Sequence, residues 1–132
     1  MAPNAESVVV DSHLWVEYFA RKENTYTEAI GRLARQGRLM QVGPVVYEVL
    51  VGPKDEGERN YLLGCLRALP LLPTREDVWL RAARLGAQAA ARNNRVPTSD
   101  VLIAAHCIVH RCALFTRDAH FDVFGELKRH RL

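Results

Sequence analysis

The stretch VVVDSHLWVEYF, residues 8–19, joins a β-branched apolar run to a segment whose aromatic residues recur at helical spacing. Three consecutive valines are typical of a strand that is buried on both faces. Trp15, Tyr18 and Phe19 would then share one side of a helix. Asp11 stands between the two patterns. The stretch therefore predicts a buried strand that turns directly into an amphipathic helix, with a carboxylate at the junction.

The same alternation of strand and helix patterns continues along the chain. RLMQV (38–42) and ALFT (113–116) predict two further strands, and apolar residues at helical spacing predict helices between them. The run VLIAAHCIV (101–109) is apolar on nearly every side, which predicts a central helix with Thr98 or Ser99 as its cap. Alternating strands and helices favour an α/β fold in three layers, a parallel sheet flanked by α-helices on both faces.

Three finer expectations concern the middle of the chain. A helix over residues 55–68 would point Tyr61 inward together with its leucines, and LPLLP (69–73) would form a short edge strand. A helix over residues 76–93 would pack through small residues. These are Ala82, Ala83, Gly86, Ala89 and Ala90.

The composition is that of a globular chain. Its 132 residues, 48% hydrophobic and 25% charged, fit a single domain over residues 1–132. The start, MAPNAES, lacks the basic and apolar regions of a signal peptide, and no apolar stretch approaches the roughly 18 residues of a membrane span. We therefore expect a cytoplasmic protein without membrane association. The three cysteines lack disulfide or zinc spacing, so we expect reduced, packed thiols.

The basic residues are unevenly chosen, although the net charge is only +3. Fifteen of the eighteen are arginine, whose guanidinium group suits bidentate contacts with phosphate. A GC-rich genome would give the same excess of arginine without any functional meaning. The charge therefore indicates nucleic-acid binding only if a site supports it.

Acidic residues follow the predicted strands at the places where a ligand site is expected. In open parallel sheets ligands lie outside the carboxyl ends of the strands, where strand order reverses, and Asp11 and Asp118 both follow strands. Asp100 lies in the first turn of the central helix and Glu48 on the helix after the second strand. Carboxylates without cysteine or histidine of matching spacing suit a hard cation, Mg²⁺ or Mn²⁺. Such an ion orients a phosphodiester and generates hydroxide, which predicts a phosphodiesterase.

Each of these acids also has an ordinary structural explanation. Asp11 could cap the first helix, and Asp100 would gain about 0.3 to 1 kcal/mol from the helix dipole. Asp118 could be a turn residue, and Glu48 could lie on a solvated helix face. The four together are harder to explain in this way than any one of them.

The blocks that contain these acids resemble a known family in order and spacing. VVVDSHLWVEYF, VVYEVLVG, PTSDVLIAAHC and LFTRDAHFD are similar to the acidic blocks of PIN-domain ribonucleases, and the length is similar to that of VapC toxins from prokaryotic toxin–antitoxin pairs. The resemblance covers nearly the whole chain. It implies a PIN-like fold, a metal-dependent endoribonuclease that hydrolyses single-stranded RNA, a cognate antitoxin that blocks the site, and a homodimer.

The resemblance also implies roles for individual residues. Asp11, Glu48, Asp100 and Asp118 would be the catalytic, metal-binding acids, with Mg²⁺ or Mn²⁺ as cofactor. Ser12 and Thr116 would be supporting hydroxyls, and Asp122 would lie outside the direct ligands of the metal. Arg117 would contact RNA phosphates, unless it is a solvated loop residue or a partner of Asp122. The family often has Ser or Thr shortly before the glutamate, where this chain reads VGPVVYE, so a supporting hydroxyl is absent there.

Other functions fit the residues less well. A phospho-receiver domain needs a lysine near the end of its last strand, whereas the lysines here are Lys22, Lys54 and Lys128. A haloacid-type phosphatase needs Asp-x-Asp after its first strand, where this chain has Asp-Ser-His. His106 and His110 are four residues apart on the central helix, but a zinc site would need further ligands, and packed or capping histidines are the better explanation. The remaining alternative is a non-catalytic PIN-like module that binds protein or RNA.

Overall fold

The computed structural model describes residues 6–132. Residues 1–5 belong to the segment in which no signal peptide is predicted, and they lie outside the described range. The strands are β1 (Val8–Val10), β2 (Leu39–Met40) and β3 (Ala113–Phe115), and a 3₁₀ helix spans Ala119–Val123. The helices are α1 (Ser12–Phe19), α2 (Thr25–Arg35), α3 (Gly43–Val51), α4 (Glu56–Arg67), α5 (Glu76–Ala91) and α6 (Thr98–His110).

The three strands form one parallel sheet in the order β2-β1-β3. Val8 pairs with Leu39 on one side and with Ala113 on the other, so β1 is the central strand. The predicted edge strand LPLLP is reduced to a single parallel bridge between Leu71 and Gln41. Its prolines lack the N–H groups that a longer ladder would need.

The core is built around β1 and α6. All three residues of β1 are fully buried, and α6 buries six consecutive or nearly consecutive positions against the sheet and α5. The predicted α/β fold, with a parallel sheet between layers of helices, is therefore confirmed, and so is the central position of the helix that follows PTSD.

Two predicted helix faces are confirmed in part, and each includes residues one position outside the buried stripe. Tyr61 is 63% exposed, because the buried stripe of α4 runs through Leu62 and Leu66. The buried stripe of α5 likewise uses two large residues and omits Ala83 and Ala90, which are exposed. One position turns a side chain by about 100° around a helix, which is enough to move it from core to surface. The buried residues of α5 are Val78, Ala82, Leu85 and Ala89.

The helix starts differ in how they are capped. Asn24 caps α2 and shares a reciprocal capping box with Thr27. The predicted cap of α6 by Thr98 or Ser99 is wrong, because Pro97 occupies the cap position and no side chain bonds there. The hydroxyl of Ser99 is therefore available for another contact.

The cysteines form no disulfide, as predicted, and two of the three are packed in the core. All three are free, and Cys107 and Cys112 lie in the core. Burial raises the pKa of the Cys107 thiol well above its ordinary value and that of Cys112 to about 11, so both stay protonated at neutral pH. Among residues 6–132, no helix has the length and apolar character needed to cross a membrane.

Candidate metal centre at the carboxyl edge of the sheet

The crevice at the carboxyl edge of the sheet opens between β1 and β3. The chain leaves β1 toward β2 on one side and returns to β3 on the other, so strand order reverses at β1. Asp11 directly follows β1 and Thr116 directly follows β3. The backbone N–H of Asp11 still donates to the carbonyl oxygen of Phe115, at 3.0 Å, which holds the two strand ends side by side. Ligands of open α/β sheets lie at such a reversal.

Asp11 is buried, with 3% of its surface exposed. Hydrogen bonds hold both of its carboxylate oxygens in place. Oδ1 accepts a hydrogen bond from the backbone N–H of Ser12 at 2.8 Å, and Oδ2 accepts one from the Thr116 hydroxyl at 2.6 Å. Ser12 thus reaches this carboxylate through its backbone. Asp11 occupies the N-cap position of α1, but its side chain bonds only the first amide of the helix. An ordinary cap bonds the second or third amide, so capping alone does not explain this aspartate.

Thr116 connects Asp11 to Asp118. Its hydroxyl donates to Asp11 and accepts the backbone N–H of Asp118 at 3.0 Å. The Asp118 carboxylate in turn accepts the backbone N–H of His120 at 2.9 Å and so caps the 3₁₀ helix. That short helix is anchored by Phe121, which is 1% exposed. The position of Asp118 is therefore set by β3 and by a core aromatic residue.

Glu48 reaches the same crevice from α3. Its Oε2 accepts a hydrogen bond from the Ser99 hydroxyl of α6 at 3.2 Å. Its Oε1 is buried and has no hydrogen-bond partner among residues 6–132. The hydroxyl that the sequence lacks before Glu48 is thus supplied by another helix. Sequence reasoning missed Ser99 because it was assigned to a cap.

Asp100 feels the charge of the other three acids. Its side chain is 13% exposed. Burial raises the pKa of Asp100, and so do the negative charges of Asp11, Asp118 and Glu48, in that order. Each of the other three carboxylates therefore lies within electrostatic range of Asp100. A cation between them would relieve the repulsion.

His120 joins this cluster and was not anticipated from the sequence. Its Nδ1 lies 3.4 Å from Oδ1 of Asp118 and 3.6 Å from Oδ2 of Asp100. One ligand atom from each of these three residues falls within 4.8 Å of the others, which is close enough for a single ion. The sequence signal was Asp-x-His on a tight turn after a strand. It was overlooked because only histidines with zinc-site spacing were considered.

Arg117 and Asp122 lie at the border of the cluster and do not pair with each other. Arg117 forms an ion pair with Glu17 and stacks over Tyr26, with its guanidinium carbon 4.7 Å from the ring centre. Asp122 accepts a hydrogen bond from Arg129 at 2.8 Å, and Arg129 also donates to the Thr116 carbonyl oxygen at 3.3 Å.

A cavity of about 400 Å³ beside Arg117 gives solvent access to the cluster. Its lining includes Asp11, His13, Glu17, Thr116 and Asp118.

The histidines of α6 do not form a metal site. His106 is fully buried, with Nδ1 2.7 Å from the Leu102 carbonyl oxygen and Nε2 2.8 Å from the Thr74 hydroxyl. His110 places Nε2 2.8 Å from the carbonyl oxygen of Pro73. Their bonds join α6 to the segment before α5. Both are packing histidines, as the sequence favoured.

The residues of the cluster fit a divalent cation. Four carboxylates are the ligands that Mg²⁺ and Mn²⁺ prefer in proteins. The buried Oε1 of Glu48 lacks a partner in the described part of the chain and is a free acceptor. A buried carboxylate oxygen without a partner is costly unless a ligand satisfies it.

Comparison with known proteins agrees with this geometry. Residues 8–127 match the PIN domain. The chain belongs to the PIN-domain family. This PIN domain is 31% identical over 124 residues to VapC ribonuclease Mb1587 of Mycobacterium bovis and to Ribonuclease VapC11 of Mycobacterium tuberculosis. Each alignment covers 91% of this chain and 92% of the relative, so the PIN domain belongs with the VapC ribonucleases.

Solved structures share its fold at low sequence identity. The PIN domain superposes on a chain of VapBC2 from Rickettsia felis, bound to a DNA fragment from its promoter, with a TM-score of 0.81 and 17% identity, covering 95% of this chain and 98% of the other. A toxin–antitoxin complex from Klebsiella pneumoniae gives a TM-score of 0.75 at 19% identity, covering 92% and 95%.

Proposed function

We propose that residues 1–132 form one PIN domain that acts as an endoribonuclease and hydrolyses phosphodiester bonds of single-stranded RNA. The observation that carries the proposal is the convergence of four carboxylates at the strand-order reversal, three of which raise the pKa of the fourth, Asp100. The kinship with VapC ribonucleases supports RNA as the substrate. In this proposal the catalytic acids are Asp11, Glu48, Asp100 and Asp118.

The same acids would hold Mg²⁺ or Mn²⁺. Such an ion, when bound, would supply Lewis-acid chemistry for phosphodiester hydrolysis, acting on a phosphoryl oxygen and on a water molecule. Asp11 is prepared for the role because both of its oxygens are oriented by hydrogen bonds, and Glu48 because Ser99 fixes one oxygen and leaves the other free. Asp122 would act at a distance, through Arg129 and the backbone of Thr116.

The proposed biological role is that of a toxin held inactive by a cognate antitoxin. The structural neighbours include VapBC and other toxin–antitoxin complexes. A cleft of about 640 Å³ between α1, α3 and α4 leads away from Glu48, and three apolar side chains at or near it, Val16, Val51 and Tyr61, are 54 to 63% exposed. Exposed apolar surface of this kind marks a protein contact, which supports an antitoxin segment as its occupant.

A homodimer is part of the same proposal. The support from the structure is a second group of exposed apolar residues, which lies on and before α5. Trp79 is 55% exposed, and Leu71 and Leu80 are 62% and 63% exposed. Large apolar side chains are costly to leave in water, and a second copy of the chain would cover them.

The test is cleavage of single-stranded RNA by the purified protein with millimolar Mn²⁺ or Mg²⁺ and with EDTA. We expect cleavage that stops in EDTA and is lost in Asp11→Asn and Asp100→Asn. Asp77→Asn is the matched control, because Asp77 also lies in the first turn of a helix, α5, but pairs with Arg75 on the surface. Undiminished cleavage in EDTA would exclude the metal mechanism.

Two further outcomes separate the toxin from a binding module. Expression of the wild-type chain should slow growth, and both site variants should relieve this effect at equal soluble levels. If RNA is bound but never cleaved, and growth is slowed equally by wild type and variants, the chain is a non-catalytic PIN-like module.

A further inference from the structure

His120 stands between two acids of the cluster at distances longer than those of ordinary hydrogen bonds. Its Nδ1 is 3.4 Å from Asp118 and 3.6 Å from Asp100, beyond the ordinary range of about 2.7 to 3.2 Å for N–H···O bonds. The imidazole is also 61% exposed, so packing does not explain its position. Its backbone N–H bonds Asp118, which ties the imidazole to the turn that carries this carboxylate.

The spacing of these ligand atoms is close to that around a single ion. Ligand atoms about 2.1 Å from an octahedral ion lie about 3.0 Å apart in neighbouring positions and about 4.2 Å apart in opposite positions. The two distances from Nδ1, 3.4 and 3.6 Å, exceed the neighbouring value by about half an ångström. Rotation of an exposed side chain supplies a movement of this size at little cost.

We propose that His120 is a nitrogen ligand of the metal centre, which makes the site a mixed oxygen and nitrogen site that discriminates Mn²⁺ from Mg²⁺. The proposal rests on the metal-dependent function proposed above and adds a ligand to it. Imidazole binds Mn²⁺ and the later transition metals, whereas Mg²⁺ takes oxygen ligands and keeps its waters. Coordination through Nδ1 requires the neutral tautomer with its proton on Nε2.

The competing explanation is an ion pair. A protonated His120 could occupy the position of the cation between Asp100 and Asp118 and leave when the metal binds. In that case the imidazole would compete with either ion, and its removal would strengthen the binding of Mn²⁺ and Mg²⁺ alike.

The experiment measures metal binding without RNA. Titration calorimetry gives the Kd for Mn²⁺ and for Mg²⁺ in wild type, His120→Ala and the control His13→Ala, an exposed histidine that lines the cavity beside Arg117. We expect His120→Ala to weaken Mn²⁺ binding by about tenfold or more and Mg²⁺ binding by less than about threefold. Pulsed electron paramagnetic resonance of bound Mn²⁺ should show coupling to one imidazole nitrogen, lost in His120→Ala and kept in His13→Ala.

The controls separate failure of this inference from failure of the proposed function. If Asp118→Asn abolishes Mn²⁺ binding but wild type shows no nitrogen coupling, or if His120→Ala changes both ions equally, His120 is not a ligand and the carboxylate site stands. If wild type binds neither ion, both proposals fall. Equal thermal stability of His120→Ala and wild type in EDTA checks that the exposed side chain can be removed without harm to the fold.

Discussion

The two ends of α6 present ionisable side chains in opposite situations. At the C-terminal end, far from the candidate metal centre, both ring nitrogens of His106 lie within hydrogen-bonding distance of neighbouring groups, and His110 contacts a carbonyl oxygen. At the N-terminal end, near the candidate metal centre, the negative charges of three other acids act on Asp100, and a buried oxygen of Glu48 lacks a partner in residues 6–132. Both ends combine histidine with other polar groups. Only at the far end do these polar groups find their partners within the fold.

The difference shows how a structural cluster can be told from a site. Buried polar groups are normally satisfied within the fold, and each exception calls for an explanation. At the far end, substitution should damage the fold and leave chemistry alone. At the near end, substitution should damage chemistry and leave the fold intact or improved. The following predictions test this contrast.

The largest effect is expected at Asp118. Asp118→Asn keeps the oxygen that accepts the His120 amide but removes one negative charge from the cluster. RNA cleavage should fall by at least about 100-fold, since loss of a ligand should exceed the 10- to 100-fold cost typical of groups behind the ligands. Unfolding in urea should be almost unchanged. Activity within a few-fold of wild type would remove Asp118 from the site.

The counterpart at the far end is His106→Ala. The substitution removes a fully buried ring and leaves the Thr74 hydroxyl and the Leu102 carbonyl without their partner. We expect a loss of about 2 to 4 kcal/mol in the free energy of unfolding. The rise in Tm on addition of Mn²⁺ should remain, measured on the folded variant. A lost metal response would mean that the two ends of α6 are coupled.

The pH dependence of stability follows from the same histidine. Burial lowers the pKa of His106 below its ordinary value of 6.5, with the nearby charge of His110 adding to the effect. Because the unfolded chain then takes up a proton before the native state does, the stabilisation is complete above about pH 6.5 and is lost as the pH falls below it. Urea melts between pH 7 and 5 should show this decline, and His106→Ala should weaken it.

A smaller effect of opposite sign is expected at Asp100. Like charges about 6 Å apart repel by about 3 kcal/mol at an effective dielectric constant near 20. Asp100→Asn should therefore raise stability in EDTA at pH 7, by about 1 kcal/mol after relaxation, and lose most of the Mn²⁺ response. The pKa of Asp100 is raised, so the gain should vanish below its ordinary value of 3.8, where both states are protonated. A variant that melts well below wild type and keeps its metal shift would make Asp100 a structural residue.

The smallest effect is expected at Asp122, which is 67% exposed and paired with Arg129. Exposed ion pairs contribute about 0 to 1 kcal/mol, so Asp122→Asn should change the unfolding free energy by less than that. Cleavage should fall by less than about tenfold, since the carboxylate acts through Arg129 on the backbone of Thr116. A loss as large as that of Asp118→Asn would place Asp122 among the direct ligands.

The sequence predicted those parts of the site that local patterns determine. An acid that follows an apolar strand pattern is predicted to lie at the carboxyl edge of the sheet, because parallel strands end at the same edge. This pattern is enough to predict the positions of Asp11 and Asp118. Ser99 and His120 could not be placed in this way. The first depends on how closely α6 approaches α3, and the second on the course of a five-residue 3₁₀ helix. The inward direction predicted for Tyr61 failed because a periodic pattern fixes a helix face only to about one residue.

The hydrogen bond between Asp11 and Thr116 has a consequence for the order in which the protein is made. Its two residues are 105 positions apart, and closing a loop of that length costs on the order of 4 kcal/mol in chain entropy. A nascent chain that has reached only α5 has Asp11 and Glu48, but neither Ser99 to orient the glutamate nor Thr116 to orient the aspartate. The cluster cannot be assembled until residues 99–118 have been synthesised. A nascent chain that stops just before Thr116 therefore carries three of the four acids but lacks the oriented site.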